Sequence, residues 1–106
     1  MAREIIVFIT ASSEDEAVKI SKMLVDEHLA ACVNIVPGIR SLFFWDNATQ
    51  EERETLLIVK SMQEYLDLLI TRVKSLHSYT VPEILALPVI GGSEEYLTWL
   101  REAVRR

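Results

Sequence analysis

Cysteine is nearly absent: Cys32 is the only one, so no disulfide can close within the chain. That suits a reducing compartment, and the cytoplasm is the expected location. Histidine is scarce as well, with only His28 and His77. No nucleophile-elbow, P-loop, HExxH or glycine-rich phosphate motif occurs. Two histidines and one distant cysteine assign no catalytic triad, so the expectation is a protein that is not an enzyme. Positive charge is in the minority, and the formal net charge is −5. The longest basic run, Arg105-Arg106, is too short for a nucleic-acid arm, and phosphate neutralisation needs clustered Lys and Arg. No apolar run approaches the ~18 residues of a membrane span. The five apolar residues Ile5 to Ile9 are too few for a signal peptide. Neither nucleic acid nor membrane is expected as a partner. Repeats, low-complexity tracts and linkers are also missing, and 106 residues make a single domain, 1–106.

What the chain does have is apolar surface. Half of its residues are hydrophobic, which is high for so small a soluble domain and points to an oligomer interface. The dominant stretch is Leu29 to Ser61. Two β-rich arms, Cys32 to Trp45 and Thr55 to Lys60, flank a polar middle that carries Asp46-Asn47. This predicts a long antiparallel hairpin. Fully extended at ~3.3 Å per residue, the first arm spans roughly 45 Å. A domain of this size has a radius of gyration of about 13 Å. The arm must therefore bend, or project and pair with another chain, and Pro37-Gly38 supplies a bend or bulge. Phe43, Phe44 and Trp45 alternate faces, so not all can pack on the subunit's own sheet, and they are the expected subunit contact, with ligand stacking as the alternative.

The remaining elements follow in order. Glu4 to Thr10 is a central strand, apolar on both faces. Ser13 and Glu16 form a capping box that opens a helix running to about His28, where a cation suits the helix dipole. Ser61 caps a second helix from about Gln63 to Leu76. A loop from His77 to Pro82 leads to a fourth strand, Glu83 to Ile90, which Gly91-Gly92 breaks. Ser93 caps a last helix, about Glu94 to Val104. The order β-α-β-β-α-β-α predicts an α+β, ferredoxin-like sandwich with a C-terminal helix and a long extended β-hairpin. Two helices cover one sheet face. The other is left bare, for the third helix or neighbouring subunits to cover.

The segments LAACVNIVPGIRSLFFW, EERETLLIVKS and LHSYTVPEILALPVIGGSEEYLTWL, in this order, resemble the divalent-cation tolerance (CutA) family over nearly the whole chain. The resemblance implies a ferredoxin-like subunit in a tight homotrimer, whose long hairpin strands pair with the next chain. It also implies a link to copper and other divalent cations, with no established enzymatic reaction. Asn47 stands where the family has a turn glycine, and it tolerates the left-handed conformation. Ser78 replaces a common proline. Some members credited with copper binding carry a cysteine at the end of the first strand and a pair of adjacent histidines in the later loop. Here those positions are Ile9 and Leu76-His77.

Cys32 and His77 are the residue types that suit copper or zinc, and they are the candidate metal ligands, with no tightly bound cofactor expected. Each has a structural alternative: Cys32 as a small buried strand residue, and His77 as a loop histidine bonded to backbone or Tyr79. Tyr79 and Glu83, with Lys60 as a further polar wall, could line a pocket, but only across a subunit boundary. The alternative for Glu83 is a bond to backbone amides at the strand start. Asp46, Glu51, Glu52 and Glu54 are expected to crowd the hairpin tip, either as a solvated, aggregation-resistant end or as weak oxygen ligands.

Overall fold

The computed structural model describes residues 3–105. The elements are β1 (Glu4–Ala11), α1 (Glu14–Asp26), β2 (Cys32–Trp45), β3 (Ala48–Met62), α2 (Leu66–Leu76), β4 (Ile84–Pro88) and α3 (Glu94–Ala103), with a 3-10 turn at Gln63–Tyr65 before α2. The four strands form one antiparallel sheet in the order β2-β3-β1-β4. This is the ferredoxin-like α+β fold read from the sequence.

Strand alternation sorts the sheet into two faces. Ile5, Val7 and Ile9 of β1 share one face with Leu57 and Val59 of β3, and all are buried. Ala17, Ile20 and Leu24 of α1 and Leu69 and Val73 of α2 pack against them to complete the core. The opposite face carries Phe8, Ile58 and Lys60, together with Cys32 and Val36 from β2 and Leu85 and Leu87 from β4. Only one end of it is covered, where Leu100 of α3 and Val104, just past its end, pack on Met62. Elsewhere on this face, Val36, Leu85 and Leu87 stay exposed. The third helix therefore covers this face in part.

The α1 start matches its sequence signal. The Ser13 hydroxyl accepts the Glu16 N–H at 3.1 Å. The Glu16 carboxylate reaches back one residue beyond the cap, to the Ser12 N–H at 2.9 Å. The helix end differs from expectation, closing at Asp26. His28 sits left-handed at φ 59°, its N–H bonds the Val25 carbonyl, and the Leu29 N–H bonds the Leu24 carbonyl. This pair of bonds is a Schellman motif with histidine in the usual glycine place, and Leu24 and Leu29, both buried, supply its apolar contact. His28 also bonds the Ala103 carbonyl through Nδ1 at 3.3 Å, which ties α1 to α3.

β3 begins at Ala48, seven residues before the expected start at Thr55. Thr49 to Glu54 are polar and show no apolar alternation. Pairing with the aromatic arm makes them strand: Phe44 faces Thr49 and Phe43 faces Gln50. Asp46 and Asn47 both adopt positive φ, 53° and 60°, as a two-residue type I′ turn requires. The register shifts between Val36 and Ile39, with Gly38 at φ 73°, so the bulge expected at Pro37-Gly38 is present.

Two caps differ from expectation. Ser61 lies within β3, fully buried, and donates to the Leu29 carbonyl at 2.6 Å instead of capping a helix. Ser93 precedes α3 but makes no side-chain cap bond. β4 is also shorter than the predicted Glu83 to Ile90, because Pro82 and Pro88 bracket it and proline cannot donate to the ladder.

Candidate functional site

The described residues hold two polar clusters, at opposite ends of the sheet. The first surrounds the loop before β4. The His77 side chain is 0% exposed. Its Nε2 lies 2.7 Å from the Thr10 carbonyl, which can only accept, so Nε2 carries the proton. Its Nδ1 then accepts the Tyr79 N–H at 3.0 Å. Both ring nitrogens are therefore engaged within the chain. The Tyr79 hydroxyl donates to the Glu54 carboxylate at 2.7 Å. Burial, and then the Glu54 carboxylate, push the Tyr79 phenol well above its ordinary value.

Glu16 closes this cluster. Its carboxylate accepts from the Ser12 N–H and hydroxyl, both at 2.9 Å, and from the Ser78 N–H at 2.7 Å. Burial raises its pKa, but the hydrogen bonds from Ser12 and Ser78 together outweigh that and bring it down to about 2. Glu16 thus clasps the start of α1 to the loop after α2, and its Oε2 stands 4.0 Å from His77 Nδ1.

The second cluster lies on the bare face beside α3. Cys32 pairs across the ladder with Lys60, which in turn faces Ile6. The Lys60 ammonium donates to the Asn34 side-chain carbonyl. Tyr96 of α3 borders Cys32; burial first, and the neighbouring thiol second, raise its phenol pKa. The Tyr96 ring is tilted against Trp99 at 5.4 Å.

One chain does not bring the predicted site residues together. Cys32 and Lys60 sit at the level of Ile6, whereas His77 bonds Thr10, four residues further along β1. Glu83 is exposed at the entrance to β4, beyond Tyr79. Among the described residues, no three His, Cys, Asp or Glu side chains converge as a metal-ligand set.

The hairpin acids do not share one tip. Glu54 is buried at the base, on the Tyr79 hydroxyl. Glu51 pairs with Arg40 at 2.6 Å. Glu16 and Glu54 are the site residues that sequence reading did not assign as partners of the loop. The Ser13–Glu16 capping signal located Glu16, but its serine partners follow from the fold.

The hairpin projects, and the molecule measures 44 × 25 × 23 Å. Register places Ile39, Ser41, Phe43 and Trp45 on the bare-face side, with Arg40, Leu42 and Phe44 on the other. Phe44 is 72% exposed and Trp45 55%. Neither side of the hairpin tip packs on the subunit.

Such an architecture defines a class: a ferredoxin-like α+β domain with a projecting aromatic hairpin continuous with an uncovered sheet face. The family model of the CutA1 divalent ion tolerance protein matches residues 5–103, and the chain belongs to that family. The Divalent-cation tolerance protein CutA of Thermus thermophilus is 54% identical over 99 residues, 93% of this chain and 96% of that one. A solved structure of the divalent cation tolerance protein from Thermus thermophilus superposes with TM-score 0.95 at 52% identity, covering 96% of this chain and 99% of its own. The periplasmic divalent cation tolerance protein CutA of Archaeoglobus fulgidus gives 0.93 at 41% identity, covering 96% and 99%.

Proposed function

We propose that the chain is a non-enzymatic homotrimer of the divalent-cation tolerance type that binds or responds to copper and similar cations. The observations that carry this reading are the uncovered face, where Val36, Leu85 and Leu87 are exposed, and the exposed aromatic hairpin that extends from its β2-β3 side. Apolar surface of this kind marks an interface, and three copies is the number the family resemblance implies. Cys32 offers a soft thiolate ligand on that same face. His77 reaches an ion only by exchanging its bond to Thr10 or to the Tyr79 N–H. A shared site with Cys32 therefore requires the ends of two copies to meet. One unpaired thiol suits the cytoplasm, our proposed location.

Light scattering with copper titration calorimetry tests this. The expected result is trimer mass, with copper heats reduced in both Cys32→Ser and His77→Ala. Monomer mass overturns the assembly, and unchanged heats in both variants overturn the ligand assignment.

A second reading is a trimeric small-molecule sensor with clefts between subunits. The Cys32–Asn34–Lys60 cluster and the Tyr79–Glu83 end lie apart within a chain, and copies packed head to tail would unite them. Thermal-shift screening against nucleotides and organic acids separates the readings: a rise with a metabolite and none with metals favours the sensor.

A further inference from the structure

A third feature belongs to neither cluster. A shallow cavity of about 380 Å³ lies between the start of β1, the 3-10 turn and the end of α3. Its lining includes two apolar side chains, Met62 and Val104, both largely buried, together with Tyr65. Its rim holds three guanidinium groups, Arg3, Arg101 and Arg105, against one lining carboxylate, Glu64. In a chain of net charge −5, this inverts the local sign.

Two of these arginines are held in place. Arg3 Nη2 lies 3.1 Å from Glu64. Arg101 Nη1 donates to the buried Glu4 carboxylate at 2.6 Å, and its Nη2 to the Thr98 hydroxyl at 3.3 Å. The Arg101 bond holds the Glu4 carboxyl below its ordinary range. A guanidinium has five N–H donors, so both retain unused ones. Among the described residues, Arg105 has no carboxylate partner. The cleft thus presents two paired forks, and one with no carboxylate partner among the described residues, beside the Met62 and Val104 side chains.

We infer that this cleft is a binding site for a small organic anion, a phosphate or carboxylate carried on an apolar or aromatic body. Guanidinium forks match the paired oxygens of both groups and prefer them to a spherical halide. The Met62, Val104 and Tyr65 side chains add apolar contact that a bare inorganic ion cannot use. The volume is at the small end for ligand sites, roughly 300–1,000 Å³, and limits the ligand to about one ring and its anionic group. Fixing Arg3 and Arg101 beforehand reduces the ordering cost of binding. The cleft owes nothing to the Cys32 or His77 assignments, so it stands or falls apart from the copper reading.

The test uses the full chain, titrated with phenyl phosphate, benzoate and inorganic phosphate and followed by amide and methyl NMR shifts. Phenyl phosphate or benzoate, whichever binds tighter, names the anionic group. Shifts should centre on Met62, Tyr65 and Val104, with inorganic phosphate weaker than phenyl phosphate. Arg105→Gln, which breaks no ion pair among the described residues, should weaken binding roughly five- to tenfold with an unchanged melting temperature. Arg3→Gln, at a solvent-exposed pair, should act in the same direction. Equal affinity in wild type and both variants, or shifts spread away from the cleft, overturns the proposal. So does inorganic phosphate binding as tightly as phenyl phosphate, which would mark simple charge attraction.

Discussion

The Tyr79 hydroxyl and the Glu54 carboxylate meet at 2.7 Å. That bond fastens the loop before β4 to the point where β3 leaves the core for the projecting hairpin. Glu54 is buried there, and a buried carboxylate must keep its donor. Tyr79→Phe should therefore destabilise the fold by about 1–3 kcal/mol, the cost of leaving a charged acceptor unpaired. Glu54→Gln should cost less, because a neutral amide still accepts from the phenol. Chemical denaturation of both variants checks the order, and equal losses would show that the charge is not what Tyr79 satisfies.

Acid should loosen the clasp that Glu16 makes. Its folded pKa of about 2 lies below the ordinary 4.5. Its contribution is therefore fully present above about pH 4.5 and is lost as pH falls toward 2. The group is only partly buried, and the contribution is on the order of 2–3 kcal/mol. Glu4, held low by Arg101, acts in the same direction. Melting temperature should fall across this window, and Glu16→Gln should flatten part of that fall while lowering stability at neutral pH. A Glu16→Gln profile parallel to wild type between pH 4.5 and 2 would refute the clasp.

Trp45 and Phe44 are exposed at the hairpin tip, so they contribute little to the fold of one chain. Trp45→Asp should leave the circular dichroism spectrum intact and lower the mass seen by light scattering, because a buried, unpaired carboxylate opposes association. An unchanged mass would move the subunit contact elsewhere.

Ser21 is buried in α1, and among the described residues its hydroxyl has no hydrogen-bond partner. Ser21→Ala removes that unsatisfied group and raises helix propensity. It should stabilise by about 0.5–1 kcal/mol. A loss of stability would reveal a partner for the hydroxyl.

Much of this was legible in the chain. β-branched runs, the capping box at Ser13 and the Pro37-Gly38 bulge gave the strand and helix order, because local propensity and periodicity act over a few residues. The outer half of β3 was not legible. Thr49 to Glu54 have no apolar face, and only pairing with Ile39 to Phe44 makes them strand. Ser61 misled for the same reason, since its position before a helix suggests a cap while its actual partner is the Leu29 carbonyl, distant in sequence.

The family, the ferredoxin-like order and an aromatic hairpin too long for one small domain all follow from the order of residues. The chemistry of the loop does not; it comes from the folded arrangement. His77 spends both nitrogens on Thr10 and Tyr79, Glu16 reaches Ser78, and Glu54 leaves the hairpin tip for Tyr79. Apart from the His77–Tyr79 bond, these join residues remote in the chain, and no periodicity encodes them. The sheet register brings them within hydrogen-bonding reach, where burial makes each bond obligatory.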